Sequence, residues 1–172
     1  MSDGILQAPR KLEHEDDRTA FDSGAPELDD WLRRYAWQNQ RADNAVTYVT
    51  VRDGVVLGYH AIAMAAYAAS DLPDGLRKGR PRQTPCVLLA RLAVDRTAQG
   101  QGVGAALLRH AIETAYHASQ SVGAAALLIH CRDDAARDFY LANGDFLASP
   151  VDPLHLMLPM NEVARRLAPG AS

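Results

Sequence analysis

The sequence predicts one α+β domain over residues 1–172, built on a mixed, mostly antiparallel sheet with helices on both faces. Three observations lead there. A β-branched, alternating run from Ala45 to Arg52 meets Asp53-Gly54 and returns from Val55 to Ala65, the pattern of a tight hairpin. An apolar run from Val87 to Val94, interrupted only by Arg91, leads into the glycine-rich Gln99–Gly104 and then a helical stretch. The order of elements, β-α-β-β-β-α-β-α-β-β, places hairpins in the first half, which excludes a doubly wound parallel sheet.

The elements follow in order. A loose start gives way to an edge strand around Arg10 to His14, and the polar Glu13–Arg18 reads as a solvated turn. Phe21 packs at the start of the first helix. Pro26 suits the first helical position, and Glu27, Asp29 and Asp30 complement the dipole of its first turn. Leu28, Trp31, Leu32, Tyr35 and Ala36 form an apolar stripe, with Arg33, Arg34 and Arg41 on the other side. After the hairpin, residues 66–86 form a long connection in which Arg77, Lys78, Arg80 and Arg82 put four positive charges into six residues. A connection of that length inside a domain is functional or solubilising. Ala124 to His130 is a second apolar strand, Asp133 to Ala142 a short helix, Phe146–Ser149 and Leu154–Leu158 the last strands, and Asn161–Leu167 a terminal helix.

Composition narrows the class. Apolar residues make up 48% and charged residues 23%, as in an ordinary soluble globular protein. A formal charge of −3 exerts no global pull toward nucleic acid or anionic membrane. No apolar run reaches the ~20 residues that span a bilayer, and the N-terminus lacks the apolar core of a signal peptide, so a cytoplasmic location is expected. Cys86 and Cys131 sit in apolar, strand-like surroundings and are expected to be reduced and buried. The six histidines show no ligand spacing and no metal is expected. His110 and His117 read as ordinary surface residues.

The chemistry concentrates on the glycine segment. A strand, a glycine loop and a helix N-terminus together hold phosphate, because the first helical turn has unpaired N–H groups and partial positive charge. A P-loop would need Gly-Lys-Ser/Thr, which is absent. A dinucleotide fingerprint is formally matched by Gly100, Gly102 and Ala105, but the next strand ends in His130-Cys131 instead of a ribose-binding acid. Too little chain follows for the second half of such a fold. Gln99, Gly102 and Gly104 reproduce Arg/Gln-x-x-Gly-x-Gly/Ala, and in this they resemble the pyrophosphate loop of the GNAT superfamily of acyl-CoA N-acyltransferases.

That resemblance covers roughly residues 45–160. It implies the GNAT fold and acetyl-CoA as co-substrate, with Gln99, Gly100, Gln101, Gly102, Val103, Gly104 and Ala105 around its pyrophosphate. It also implies a central strand at Leu89–Val94 in which a bulge frees the backbone of Leu92, Ala93 and Val94 to bind the pantetheine arm and polarise the thioester. Phe139-Tyr140-Leu141-Ala142-Asn143-Gly144 resembles the family's F/L-Y-x-x-x-G-F signature, whose tyrosine protonates the departing thiolate. Tyr140 is thus the catalytic candidate: with a pKa near 10 it keeps its proton at neutral pH. Two positions depart from the pattern. Asp145 separates Gly144 from Phe146, and Asp133 stands where the family often has asparagine.

A narrower resemblance reaches almost the whole chain. Phe21-Asp22-Ser23-Gly24, Leu28-Asp29-Asp30-Trp31-Leu32, Tyr48-Val49-Thr50-Val51, Leu72-Pro73 with Arg77, Arg91 through Arg96, and Ser149 through Pro153 with Met157 are similar to the GNAT toxins of bacterial type II toxin–antitoxin systems. The resemblance implies acetylation of the α-amine of aminoacyl-tRNA, which stops translation, a ribbon-helix-helix antitoxin as partner, and a homodimer. An aminoacyl ester's amine is less basic than lysine's, so more of it is neutral at pH 7 and no strong catalytic base is demanded. Binding tRNA calls for basic patches. The sequence pI of about 6.0 runs against that, while Arg33, Arg34, Arg77, Lys78, Arg80, Arg82 and Arg91 supply local candidates. Two other readings stand beside it: a GNAT enzyme acting on a small-molecule amine or a protein N-terminus, and a CoA- or partner-binding module without turnover.

Overall fold

In chain order the elements are β1 (Arg10–Lys11), α1 (Pro26–Arg34), α2 (Ala36–Arg41), β2 (Val46–Arg52), β3 (Val55–Ala68), α3 (Asp74–Arg77), β4 (Gln83–Val94), α4 (Val103–Val122), β5 (Ala126–His130), α5 (Asp134–Asn143), β6 (Leu147–Ala148), β7 (His155–Pro159) and α6 (Met160–Leu167). The structure, a computed structural model, describes residues 4–167. Part of the expected loose start, residues 1–3, lies outside the described residues. The strands form one seven-stranded sheet in the order β1-β2-β3-β4-β5-β7-β6. β4 and β5 run parallel, with Val87, Leu88 and Leu89 opposite Leu127, Leu128 and Ile129. β1 with β2, β2 with β3, β5 with β7 and β6 with β7 are antiparallel. This is the mixed, mostly antiparallel sheet of an α+β fold.

The hairpin forms where its turn residues dictate. Asp53 and Gly54 both take positive φ, 51° and 78°, the pair of left-handed residues that matches the twist of the flanking strands. Their turn sets Arg52 opposite Val55 and Val51 opposite Val56, and a one-residue register shift between Val51 and Thr50 then brings Tyr48 opposite His60 and Thr47 opposite Ala61.

The chain divides into two compact units. One comprises the residues up to Ala63 together with Ala90–Ala111, the other Met64–Leu89 with the chain from Ile112 onward. The first unit buries Leu12, Phe21, Leu32, Val49, Tyr59 and Ala93 in one cluster, against which Leu28, Trp31 and Trp37 pack. The stripe expected from Leu28 to Ala36 is interrupted. Tyr35 separates α1 from α2 and is 49% exposed, while Ala36 is buried and Trp37 reaches the core in its place. Gly58 brings α4 onto β3, since a Cβ there would come within 2.9 Å of Leu107 and 3.0 Å of Thr50.

The second unit is built on β5, whose Ala126–Ile129 segment is wholly buried, with Tyr67, Leu72, Leu76, Cys86 and Met157 around it. The connection over residues 66–86 is more ordered than its composition suggests. It contains a 3-10 turn and α3, buries Leu72 and Leu76, and is closed by Ala69 N–H donating to the Arg82 carbonyl at 2.9 Å. Arg77 and Arg80 donate to the carbonyls of Leu72 and Leu76 at 2.9 and 3.1 Å, so two of the four basic residues hold the turn together. Cys86 and Cys131 are free and buried, as expected.

Candidate active site

The glycine segment is a strapped loop. β4 ends at Val94, and Asp95, only 8% exposed, accepts hydrogen bonds from the Asp22 N–H at 3.0 Å, the Thr97 N–H at 3.0 Å and Thr97 Oγ1 at 2.7 Å. Burial alone would raise its pKa, but the N–H groups of Asp22 and Thr97, the Thr97 hydroxyl and Arg96 outweigh it and hold the carboxyl below the usual range. Arg96 pairs with Asp22 at 3.2 Å, and the Gln99 amide donates to the carbonyls of Ser23 at 2.9 Å and Val94 at 2.8 Å. Gly100 and Gly102 follow with φ of 75° and 81°. A Cβ at either would meet nothing within 4 Å, so glycine serves the backbone conformation and leaves the approach open. The twenty-residue α4 begins directly after, with Ala106 N–H donating to the Gly102 carbonyl at 3.1 Å. Its first N–H groups and the positive end of its dipole make this loop fit a pyrophosphate. Beside it lies a cleft of about 430 Å³ between the Leu6–Pro9 segment and the first turns of α4.

Tyr140 lies in the second unit, on α5. Its ring is 7% exposed and meets Phe139 and Phe146 edge-on, with centroids 5.3 and 6.3 Å away. Burial, and after it the nearby Cys131, raises the pKa of its hydroxyl above that of a free tyrosine, so it stays protonated across the physiological range. Cys131 is itself pushed up to about 11, chiefly by burial. The two departures from the family pattern have structural roles. Asp133 caps α5 by accepting from Ala136 N–H at 2.8 Å. Asp145 turns outward to pair with Arg166, and Phe146 reaches the core because Gly144 leaves room for it: a Cβ there would come within 2.6 Å of the Phe146 ring.

The basic candidates differ in their engagements. Arg33 donates to the Phe21 carbonyl at 2.5 Å and pairs with Asp30 at 2.9 Å. Arg77 pairs with Asp74 at 3.3 Å. Arg34, Lys78, Arg80 and Arg82 are exposed. Arg91 is half-buried, with its guanidinium carbon 4.3 Å from the centroid of Trp31. Trp31 in turn stacks on Tyr59 at 6.0 Å, and Tyr59 donates its hydroxyl to the Leu28 carbonyl at 2.7 Å.

Two histidine clusters escaped the sequence reading. His110 is half-buried instead of lying on the surface: its Nδ1 is 2.9 Å from Nε2 of the fully buried His60, and both rings pack on Tyr48. Burial, and secondarily His110, pushes the His60 pKa down to about 3, so His60 is neutral. In the second unit His130 stacks on His155 at 4.1 Å, and His155 contacts the Tyr67 hydroxyl at 2.9 Å and Asp152 at 3.3 Å. Neither cluster has a spacing signal, because each joins residues from separate elements. Among the described residues, no group of three or more His, Cys, Asp or Glu side chains is placed to hold a metal, and no helix is long and apolar enough to cross a membrane.

A strand, a strapped glycine loop and a long helix, followed by a buried tyrosine on a later helix, define an acyl-CoA-dependent acetyltransferase. The chain belongs to the acetyltransferase (GNAT) family, which matches residues 10–144. A tRNA-acetylating toxin of Mycobacterium tuberculosis is 46% identical over 155 residues, spanning 90% of this chain and 93% of the toxin. The structure of AtaT complexed with acetyl-methionyl-tRNAfMet matches with a TM-score of 0.87 at 27% identity, covering 95% of this chain and 100% of that one. A mutant AtaT toxin bound to acetyl-CoA and the C-terminus of the antitoxin AtaR matches with a TM-score of 0.79 at 25% identity, over 95% and 98% of the two chains.

Proposed function

We propose that this chain is the toxin of a toxin–antitoxin pair and transfers acetyl from acetyl-CoA to the α-amine of aminoacyl-tRNA, blocking translation. The observation that carries the proposal is the 46% identity to a tRNA-acetylating toxin across nearly the full length of both chains. The match to AtaT in complex with acetyl-methionyl-tRNAfMet supports the same substrate class. The partner would be a ribbon-helix-helix antitoxin, and the working form a homodimer in the cytoplasm.

The roles follow from the chemistry of the residues. Gly100 through Ala105 would hold the pyrophosphate through backbone N–H groups, with Gln99 keeping the loop in shape through its bonds to Ser23 and Val94. The backbone of Leu92, Ala93 and Val94 would orient the pantetheine arm. When bound, acetyl-CoA supplies the activated acetyl group as a thioester. Tyr140 would give its hydroxyl proton to the sulfur as the carbon–sulfur bond breaks, while the amine loses a proton to water. The buried ring suits this role, since its raised pKa keeps the proton in place until charge develops on sulfur.

Incubation with acetyl-CoA and individually charged tRNAs, followed by mass spectrometry of the released acyl-adenosine, tests the proposal. N-acetylated product from one or more charged tRNAs is expected. Transfer to spermidine or an aminoglycoside with none to any charged tRNA would overturn the tRNA assignment and favour a small-amine enzyme.

A further inference from the structure

Arg91 is out of place by every local rule. It interrupts the apolar strand β4 and is half-buried, and that burial lowers its pKa against a smaller opposing influence of Tyr59. Three other arginines of its unit pair with acids: Arg10 with Asp16 at 2.8 Å, Arg33 with Asp30 at 2.9 Å and Arg96 with Asp22 at 3.2 Å. Among the described residues no carboxylate pairs with Arg91. Aromatic rings order it instead. The guanidinium lies over Trp31, Trp31 is nearly parallel to Tyr59 with 14° between planes, and Phe21 meets Tyr59 edge-on at 5.7 Å. The Tyr59 hydroxyl bond to Leu28 fixes the far end of this stack.

A guanidinium held over a ring makes no hydrogen bond to it and keeps its N–H donors for an acceptor, and their planar fork matches a phosphodiester in bidentate fashion. The Trp31 indole is already engaged by Arg91 and Tyr59, so the stack offers hydrogen-bond donors rather than a ring for a base to lie on. Arg91 stands three residues before Val94 on the same strand, about 10 Å along it at ~3.3 Å per residue.

We propose that Arg91, held over the Trp31 ring, binds a backbone phosphate at the acceptor end of the tRNA and thereby positions the aminoacyl ester for transfer. The inference rests on tRNA being the acceptor, and its test is a binding measurement that does not depend on acetylation. Deacylated tRNA is titrated by fluorescence anisotropy at a series of salt concentrations, with wild type, Arg91→Gln and Arg91→Lys. For Arg91→Gln, affinity at low salt should fall roughly tenfold to a hundredfold, as loss of a charged hydrogen-bond pair implies. The slope of log K against log salt should shrink by about one, and acetyl-CoA affinity should be unchanged. Arg91→Lys should keep the slope but bind several-fold less tightly, because the fork is lost. An unchanged slope in Arg91→Gln, wild-type affinity in Arg91→Lys, or no tRNA binding by wild type would each overturn the site. If Arg91→Gln does not fold, Arg91→Lys decides. Binding through Arg91 without acetylation of any charged tRNA would instead refute the acceptor assignment and leave the phosphate site standing.

Discussion

Asp95→Ala should loosen the glycine loop without touching it. The carboxylate is shared by three donors, the N–H groups of Asp22 and Thr97 and the Thr97 hydroxyl, at 2.7 to 3.0 Å. Hydrogen bonds to a charged group are worth about 1.5–3 kcal/mol each. Asp22 and Thr97 are exposed and their freed donors can turn to water, so the low end applies; the two Thr97 donors share one carboxylate oxygen and count once, which puts the total loss at about 3 kcal/mol. For a chain of this size each kcal/mol moves Tm by about 2–4 °C, which predicts a drop of roughly 6–12 °C. Acetyl-CoA affinity should fall too, because the Phe21–Ser23 strap that receives Gln99 would lose one of its ties. The pH dependence has a defined sign. The folded pKa lies below the unfolded value of about 3.9, so the stabilisation is complete above that value and is lost as pH falls through the folded pKa. The gap in Tm between wild type and Asp95→Ala should therefore narrow as pH drops from about 5 toward 3. Thermal melts across that range, with calorimetric titration of acetyl-CoA at pH 7, measure both effects. A variant melting within about 1 °C of wild type at pH 7 would refute the strap.

Tyr140→Phe should keep the packed ring and lower kcat by about 10²–10⁴-fold with acetyl-CoA affinity nearly unchanged, read by single-turnover acetylation of charged tRNA. Growth should arrest on expression of the wild type and continue with the Phe variant. Gly102→Glu should fold at a cost of about 1 kcal/mol for its positive φ, yet lose acetyl-CoA binding in calorimetry through bulk and like charge. Reversing Lys78 and Arg82 to glutamate should weaken use of tRNA and spare acetyl-CoA binding. Reversing Arg77 and Arg80 as well should also lower Tm, because those two hold the Leu72 and Leu76 carbonyls.

Elements whose rules are local were legible in the sequence. Asp53-Gly54 announces its own backbone conformation, and the hairpin on either side follows from alternation. Pro26 starts α1 where its fixed φ allows. The interruption at Tyr35 was not legible, since no proline or glycine marks it. It becomes intelligible only once Ala36 and Trp37 are seen against the core. The connection over 66–86 was misjudged for the same kind of reason. Its composition is that of a solvated loop, but Leu72 and Leu76 find buried partners on strands far along the chain.

The candidate site divides along the same line. Gly100 and Gly102 were readable because positive φ is a property of the residue itself. The tie between Asp95 and Asp22 spans 73 residues and that between Gln99 and Ser23 spans 76, so nothing in either neighbourhood signals them. His110 carries no such signal, because it lies on α4 and its partner, His60, arrives on β3, fifty residues earlier. Arg91 sits between these cases. A charge inside an apolar strand is visible as an anomaly in sequence, yet an anomaly has two meanings: a buried ion pair or a ligand site. Only the three-dimensional neighbourhood separates them, by showing Trp31 where an acid would stand if the charge served stability alone. An arginine ordered by rings and left without an anion is best explained by an anion that arrives with the substrate.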